Sequence, residues 1–256
     1  MPSQRVIVTR PAREAARWVE ALRHAGLDAV ALPLMAIAPM PDTDALRNAH
    51  AGLDRFAALM FVSAAAVEHF FAAPAGALAL SARCWATGPG TSQALQAVGV
   101  PAELIDAPAH DAAQFDSEAL WARVAPQVGA GARVLIVRGG DAGGRANGRD
   151  WLARQIEAAG GTVETIVAYR RLPPAFDAAD RRLALEGARG AAIWLFSSSE
   201  AIGNLCRALP EIDWKASRAV TTHARIAQTA REAGFGSVRT SLPTVAALVA
   251  SIELAA

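Results

Sequence analysis

The chain has 256 residues, 53% of them hydrophobic, and a formal net charge of +1. That balance excludes a strongly basic nucleic-acid binder, and charges interrupt the apolar residues too often to leave the run of roughly 20 that a membrane-spanning helix needs. The length suits one large domain or two of about 100 to 150 residues.

The opening residues MPSQRVIVTR pass almost directly into an apolar β-like run with no signal core behind it, so a cytoplasmic protein is expected. Short β-like runs then alternate with helix-length amphipathic stretches to the end of the chain, the pattern of parallel sheets covered by helices. Strands are expected at residues 6–9, 29–32, 59–63, 84–87, 134–138, 163–169, 192–197 and 219–222. Helices are expected at 13–25, 64–72, 92–98, 149–159, 200–209 and 225–233, several of them closed by Gly26, Gly99, Gly160 or Gly234. The fold class is therefore α/β and doubly wound.

The sequence repeats itself. The run Arg5 to Arg10 (RVIVTR) matches Arg133 to Arg138 (RVLIVR), 128 positions on, and the helix at Trp18 matches that at Trp151, 133 positions on. Phe61-Val62-Ser63-Ala64 matches Phe196-Ser197-Ser198-Ser199, and Ala97-Val98-Gly99 matches Glu232-Ala233-Gly234, both 135 positions on. Three blocks in the order A, B, C, A′, B′, C′ point to a duplication and two similar domains. Two extended segments closed by prolines, residues 33–41 and 167–174, read as linkers. If both cross between domains, residues 1–36 and 173–256 form one domain and 40–167 the other; the sequence alone does not rule out the simpler sequential split near residue 128.

Ligands of open parallel sheets bind off the carboxyl ends of the strands, so the residues just after each strand are the candidates. These are Thr9 and Arg10; Ser63; Thr87, Gly88 and Thr91; Arg138, Gly139, Arg145 and Arg149; Ser197 and Ser198; and Thr222, His223 and Arg225. Hydroxyls and backbone amides at helix starts make an anion-binding surface, and arginine forks suit carboxylates. Lys215 is the sole lysine, so 24 of the 25 basic residues are arginines, and only those in loops count as candidates. The glycine-rich stretch from Gly139 to Gly148 has neither dinucleotide-binding nor Walker spacing; it reads as a flexible loop whose amides and arginines could approach carboxylates.

Other chemistries find no support. The sequence holds no GxSxG, HExxH or CxxC pattern; Cys84 and Cys206 match no metal or redox spacing and read as buried free thiols. No metal site is expected. Of the five dispersed histidines only His223, at a strand end, is placed to meet a ligand. The single tyrosine, Tyr169, stands where an apolar strand becomes a linker, and is the one phenol able to donate a proton there.

Taken together, VTRP (Val8 to Pro11), FVSAAAV (Phe61 to Val67), ATGPGTSQAL (Ala86 to Leu95), VRGG (Val137 to Gly140), VAYRR (Val167 to Arg171) and LFSSSEAI (Leu195 to Ile202) resemble the uroporphyrinogen-III synthase family in order and spacing along essentially the whole chain. The resemblance implies two flavodoxin-like parallel-sheet domains, the first built from both chain ends, joined by a two-stranded β-ladder, and so favours the crossed division. It implies a cofactor-free, monomeric lyase. The enzyme would close hydroxymethylbilane, a linear tetrapyrrole with eight carboxylates, into uroporphyrinogen III, with loss of water and inversion of ring D. Tyr169 would then match the family tyrosine that assists the leaving hydroxyl, Thr91 a cleft threonine and Ser197 a cleft serine. The chain departs from the family at His223-Ala224-Arg225-Ile226-Ala227, where many members carry GxxTA: Ile226 brings no hydroxyl, leaving Thr222, His223 or Arg225 to replace it. The competing readings are a non-catalytic two-domain binder of a small anion and, less favoured for want of a nucleotide loop, a nucleotide-sugar transferase. Neither nucleic acid nor membrane is expected as a partner.

Overall fold

The computed structural model of the protein describes residues 5–72, 80–109, 112, 114–146 and 150–254. Within it the chain divides into two compact units, Met1–Ala36 with Leu172–Ala256, and Ile37–Arg171. The first unit opens with strand β1 (Arg5–Val8), helix α1 (Ala12–His24) and strand β2 (Ala29–Ala31). Next come β3 (Ala36–Pro39), α2 (Asp44–Ala51), β4 (Ala58–Phe61), α3 (Ala64–Phe71), β5 (Arg83–Ala86) and α4 (Pro89–Ala97). The second unit is finished by β6 (Ile105–Asp106), α5 (Ser117–Val124), β7 (Arg133–Gly140), α6 (Trp151–Ala158) and β8 (Thr162–Leu172). The chain then completes the first unit with α7 (Ala178–Ala188), β9 (Ala192–Phe196), α8 (Ser199–Ala208), β10 (Arg218–Thr221), α9 (Ala224–Glu232), β11 (Ser237–Thr240) and α10 (Val245–Glu253).

The first unit carries a sheet in the order β11-β10-β9-β1-β2, parallel throughout. Numbered along the chain, its own five strands stand 2-1-3-4-5, the flavodoxin order. In the second unit the order β8-β7-β4-β5-β6 repeats this spatially, with β7 and β8 in the places of β1 and β2, and β4, β5 and β6 in those of β9, β10 and β11. The second unit is thus a circular permutation of the first. Each unit combines an A block with a B and a C block, but the chain enters the second at B and supplies A′ last. Strand β3 pairs with β8 at the edge of the second sheet, and the chain passes between the units at the ends of these two neighbouring strands.

Both faces of each sheet are covered, as parallel sheets require. In the first unit Val6 and Val8 face Val19 and Leu22 of α1 and Leu248 of α10, while Ile7 faces Ala184, Ile202 and Ala230 on the other side. In the second, Leu59 and Phe61 pack with α2, α3 and α4, and Ala58 and Met60 with α5 and α6. Each fully buried Leu, Ile or Phe in these layers contributes about 1.5–3 kcal/mol of transfer free energy. Gly26 and Gly234, at φ +89° and +94°, end α1 and α9 in the left-handed region where a side chain would be strained.

Strands β6 and β11 escape the sequence pattern. One has two residues and the other, SVRT at an edge, has exposed or half-exposed side chains, so neither shows an apolar run. Residues 167–172, expected as strand up to 169 and as part of the linking ladder, continue β8 as a paired strand, Val167, Tyr169 and Arg170 opposite Arg138, Gly139 and Gly140.

Candidate active site

In the second unit the winding reverses at β4, with β5 on one side and β7 on the other, so the crevice above the carboxyl ends of β4 and β7 is its switch point. Ser63 follows β4 there and caps α3, its Oγ accepting the Ala66 N–H at 3.1 Å. The Tyr169 hydroxyl lies 3.1 Å from the same Oγ. A serine hydroxyl has one hydrogen and two lone pairs. With one lone pair taken by Ala66, Ser63 can give its hydrogen to the Tyr169 oxygen and leave the phenol's own hydrogen for a ligand.

A bulge brings Tyr169 to this position. Arg138 pairs with Val167 but Gly139 with Tyr169, which leaves Ala168 as the extra residue in β8. Residues two apart on a strand share a face, yet a methyl at Gly139 would meet the Tyr169 ring and one at Gly140 would meet Val167. The bulge therefore turns Tyr169 onto the face that Leu135 and Val137 share with α3, while Val167 stays on the other. Gly139 has no side chain because the phenol occupies that space: an added Cβ would stand 2.5 Å from Cζ. Tyr169 is 4% exposed, and the imidazole of His69 from α3 stacks on its ring with centroids 5.7 Å apart.

The remaining candidates of this unit divide by what their polar atoms already do. Thr87 donates to the Val62 carbonyl at 3.2 Å. Thr91, only 5% exposed, makes no side-chain hydrogen bond among the described residues, and Gly88, ahead of it, caps α4 without a side chain. Arg138 alternates onto the opposite face of β7 from Gly139, with Nη1 3.3 Å from Asp150. The glycine-rich stretch is folded over its first half rather than loose: Gly140 bridges to Ala146, and the Asp141 carboxylate accepts the Arg145 N–H at 3.0 Å. That backbone bond, above all, holds Asp141 below the usual carboxylate range. Arg145 is exposed beside it, and Arg149 lies outside the described residues.

In the first unit the switch point falls between β1 and β9. Thr9 and Arg10 are placed otherwise than the sequence suggested. Thr9 is 1% exposed and its hydroxyl donates inward to the Leu195 carbonyl at 2.7 Å. Arg10 lies over the Trp18 ring at 4.7 Å and pairs with Glu14 at 3.0 Å, so its fork is engaged within α1; burial pushes its pKa down and Glu14 opposes this. Ser198 caps α8 by accepting the Glu200 N–H at 3.2 Å. His223 caps α9, its Nδ1 accepting the Arg225 N–H at 3.0 Å, which puts the hydrogen of the neutral ring on Nε2. Ser197 and Thr222 are half-exposed with hydroxyls that bond nothing among the described residues, and the Arg225 side chain is exposed. No cluster of metal-ligating side chains occurs among the described residues.

The family profile described as Uroporphyrinogen-III synthase HemD matches residues 16–250. The chain belongs to the uroporphyrinogen-III synthase family. A curated family protein from Chlorobaculum parvum, named uroporphyrinogen-III synthase, is 30% identical over 182 residues, 69% of this chain and 67% of its own length. Among solved structures, a uroporphyrinogen-III synthetase from Helicobacter pylori superposes with a TM-score of 0.61 at 16% identity, covering 98% of this chain and 99% of its own. A mutant uroporphyrinogen III synthase from Thermus thermophilus gives 0.58 at 18% identity, covering 99% and 98%. At these identities the two structures speak for the fold.

Within this family chain the duplication pairs unlike residues. Thr91 corresponds, 135 positions on, to Ile226, which is 5% exposed and belongs to the apolar core of the first unit. Gly88 corresponds to His223 and Leu34 to Tyr169, whereas the capping serine is the same in both, Ser63 corresponding to Ser198. The second unit alone therefore carries the phenol, and at the position of Thr91 the first unit has no hydroxyl. The residue that strand-end reasoning missed is His69, which sits inside a helix; the signal that could have found it is its place six residues after a capping serine, in register with Asn204.

Proposed function

We propose that this protein is a uroporphyrinogen-III synthase that closes hydroxymethylbilane into uroporphyrinogen III with loss of water and inversion of ring D, a step of haem and tetrapyrrole synthesis. The observation that carries the reading to the residues is the single phenol of a family chain, hydrogen-bonded to Ser63 at the carboxyl edge of a parallel sheet. Tyr169 gives its proton to the terminal hydroxyl of the substrate. The carbon–oxygen bond breaks as the pyrrole nitrogen pushes in its electron pair, water departs, and the resulting azafulvene is attacked by the substituted carbon of the last ring; the older bond from that carbon to its bridging methylene then breaks and re-forms at the free carbon of the same ring, and the proton lost there replaces the one that Tyr169 gave. Nothing is oxidised or reduced, so the balance needs no redox cofactor. The task left to the protein is to hold the chain folded for attack.

The eight carboxylates of the substrate call for many donors of moderate strength. In the second unit Thr91 has a hydroxyl to offer and Arg145 an exposed guanidinium; in the first unit Ser197 and Thr222 have hydroxyls to offer, and His223 and the exposed Arg225 are candidates beside them. Arg138, Arg149, Ser198, Thr87 and the backbone of Gly88 and Gly139 are further candidates, whereas Thr9 and Arg10 are the poorest because their side chains are engaged internally. We infer from the family that the enzyme works as a monomer in the cytoplasm; no described helix is long and apolar enough to cross a membrane. The experiment is a coupled assay in which freshly generated hydroxymethylbilane meets the purified protein. The III isomer is expected. Formation of only the spontaneous I isomer overturns the reading, and tight binding without turnover would favour the anion-binding alternative.

A further inference from the structure

His69 lies in the second turn of α3, six residues after the Ser63 cap, and its half-buried ring stacks on Tyr169 with centroids 5.7 Å apart and planes 28° from parallel. This is within the range in which aromatic pairs attract one another. Burial depresses the imidazole pKa and the neighbouring Glu68 only opposes it, so at neutral pH the ring is uncharged and packs as an aromatic. A second, independent observation comes from the duplicate. Asn204 holds the same place in α8, six residues after Ser198, and its side-chain amide donates to the Leu34 carbonyl at 2.7 Å. Leu34 is the residue 135 positions before Tyr169, as Asn204 is 135 after His69. In each unit, then, one side chain from the second turn of the helix that follows the central strand clamps the chain at the end of the A block: at the backbone in one unit, at the phenol ring in the other.

We propose that His69 is a positioning residue for the reaction, its ring holding the Tyr169 phenol in the orientation that keeps the hydroxyl on Ser63. The inference rests on the reading that Tyr169 supplies the proton. His69 itself touches no reacting atom in this role. On the Gly139 side the phenol end of the ring meets only backbone, so the stacking of His69 adds to the hydrogen bond with Ser63 in fixing the ring.

Tyr169 is the only tyrosine, so protein grown with ring-13C-tyrosine gives NMR signals from that ring alone. His69→Ala should shift those signals and lower kcat for the III isomer about 3- to 10-fold, with KM held within about two-fold, since misorientation costs the chemical step rather than binding. His69→Phe, which can stack but has no ring nitrogen, should restore both. In a Tyr169→Phe background, His69→Ala should add no further loss, because it acts through the missing hydroxyl. The proposal is overturned if His69→Ala leaves the ring signals or kcat unchanged, if His69→Phe restores the signals but not the rate, or if the two substitutions multiply. Wild-type kcat in Tyr169→Phe would instead remove the proton-donor reading itself, whereas sensitivity to Tyr169→Phe with indifference to His69→Ala would remove only the positioning role.

Discussion

Gly139 and Tyr169 stand opposite one another on β7 and β8, so close that a methyl on Gly139 would lie 2.5 Å from the phenol carbon that bears the hydroxyl. Gly139→Ala must therefore displace the ring. Activity is expected to fall at least as far as in Tyr169→Phe, at a stability cost of about 1–3 kcal/mol from overpacking. Gly140→Ala is the control. Its methyl meets Val167 and the Gly144 and Arg145 backbone instead, so it should cost stability in a thermal melt while leaving the Tyr169 ring signals in place.

Tyr169→Phe removes the hydroxyl and keeps the packing of a residue only 4% exposed. Turnover should drop by roughly ten-fold or more, as loss of a general acid does, with the fold intact by circular dichroism. Unchanged kinetics would reduce Tyr169 to a core aromatic.

Thr91 and Thr9 are both buried, but their hydroxyls do opposite things. Thr9→Val leaves the Leu195 carbonyl without its side-chain donor and should cost about 1–3 kcal/mol of stability with KM unchanged. Thr91→Val breaks no side-chain hydrogen bond among the described residues, so stability should hold within about 1 kcal/mol and any rise in KM reports a lost substrate contact. Paired urea melts and steady-state kinetics separate the two.

His50 packs edge-on against Phe70 at 4.3 Å with both ring nitrogens buried; burial lowers its pKa, the Phe70 backbone offsetting only part, and His69 is lowered by burial as well. A histidine whose folded pKa lies below its unfolded value binds fewer protons when folded. Its contribution is complete above the unfolded value of about 6.5 and is lost as pH falls through that value toward the folded one. The melting temperature should therefore decline below about pH 6.5, and His50→Leu should flatten that decline. A pH-independent difference between His50→Leu and wild type would count against it.

Burial pushes the Cys84 thiol up to about 12, while Cys206 is only half-buried. Iodoacetamide at pH 8 should label Cys206 in the native protein and reach Cys84 only after unfolding, read by peptide mass spectrometry. The sequence suggests two buried thiols; the structure leaves Cys206, on α8, half-buried, whereas Cys84 is buried within β5.

By itself the sequence determined the α/β class, eight of the strands to within two or three residues, the glycine stops and the duplicated blocks. These features are local: apolar periodicity, turn chemistry and repetition are written in neighbouring residues and need no partner to be read. Family membership was legible for the same reason, as an ordered set of short runs. Tertiary structure decided the rest. The permuted order of the second sheet depends on β4 pairing with β7, 76 residues further along the chain. The bulge at Ala168 depends on the register between β7 and β8, and it alone turns Tyr169 toward Ser63 and His69. Whether a threonine or arginine near a strand end keeps its polar atoms without a partner among the described residues, as Thr91 does, or engages them internally, as Thr9 and Arg10 do, follows from the distances to Leu195, Glu14 and Trp18, which no run of neighbouring residues encodes.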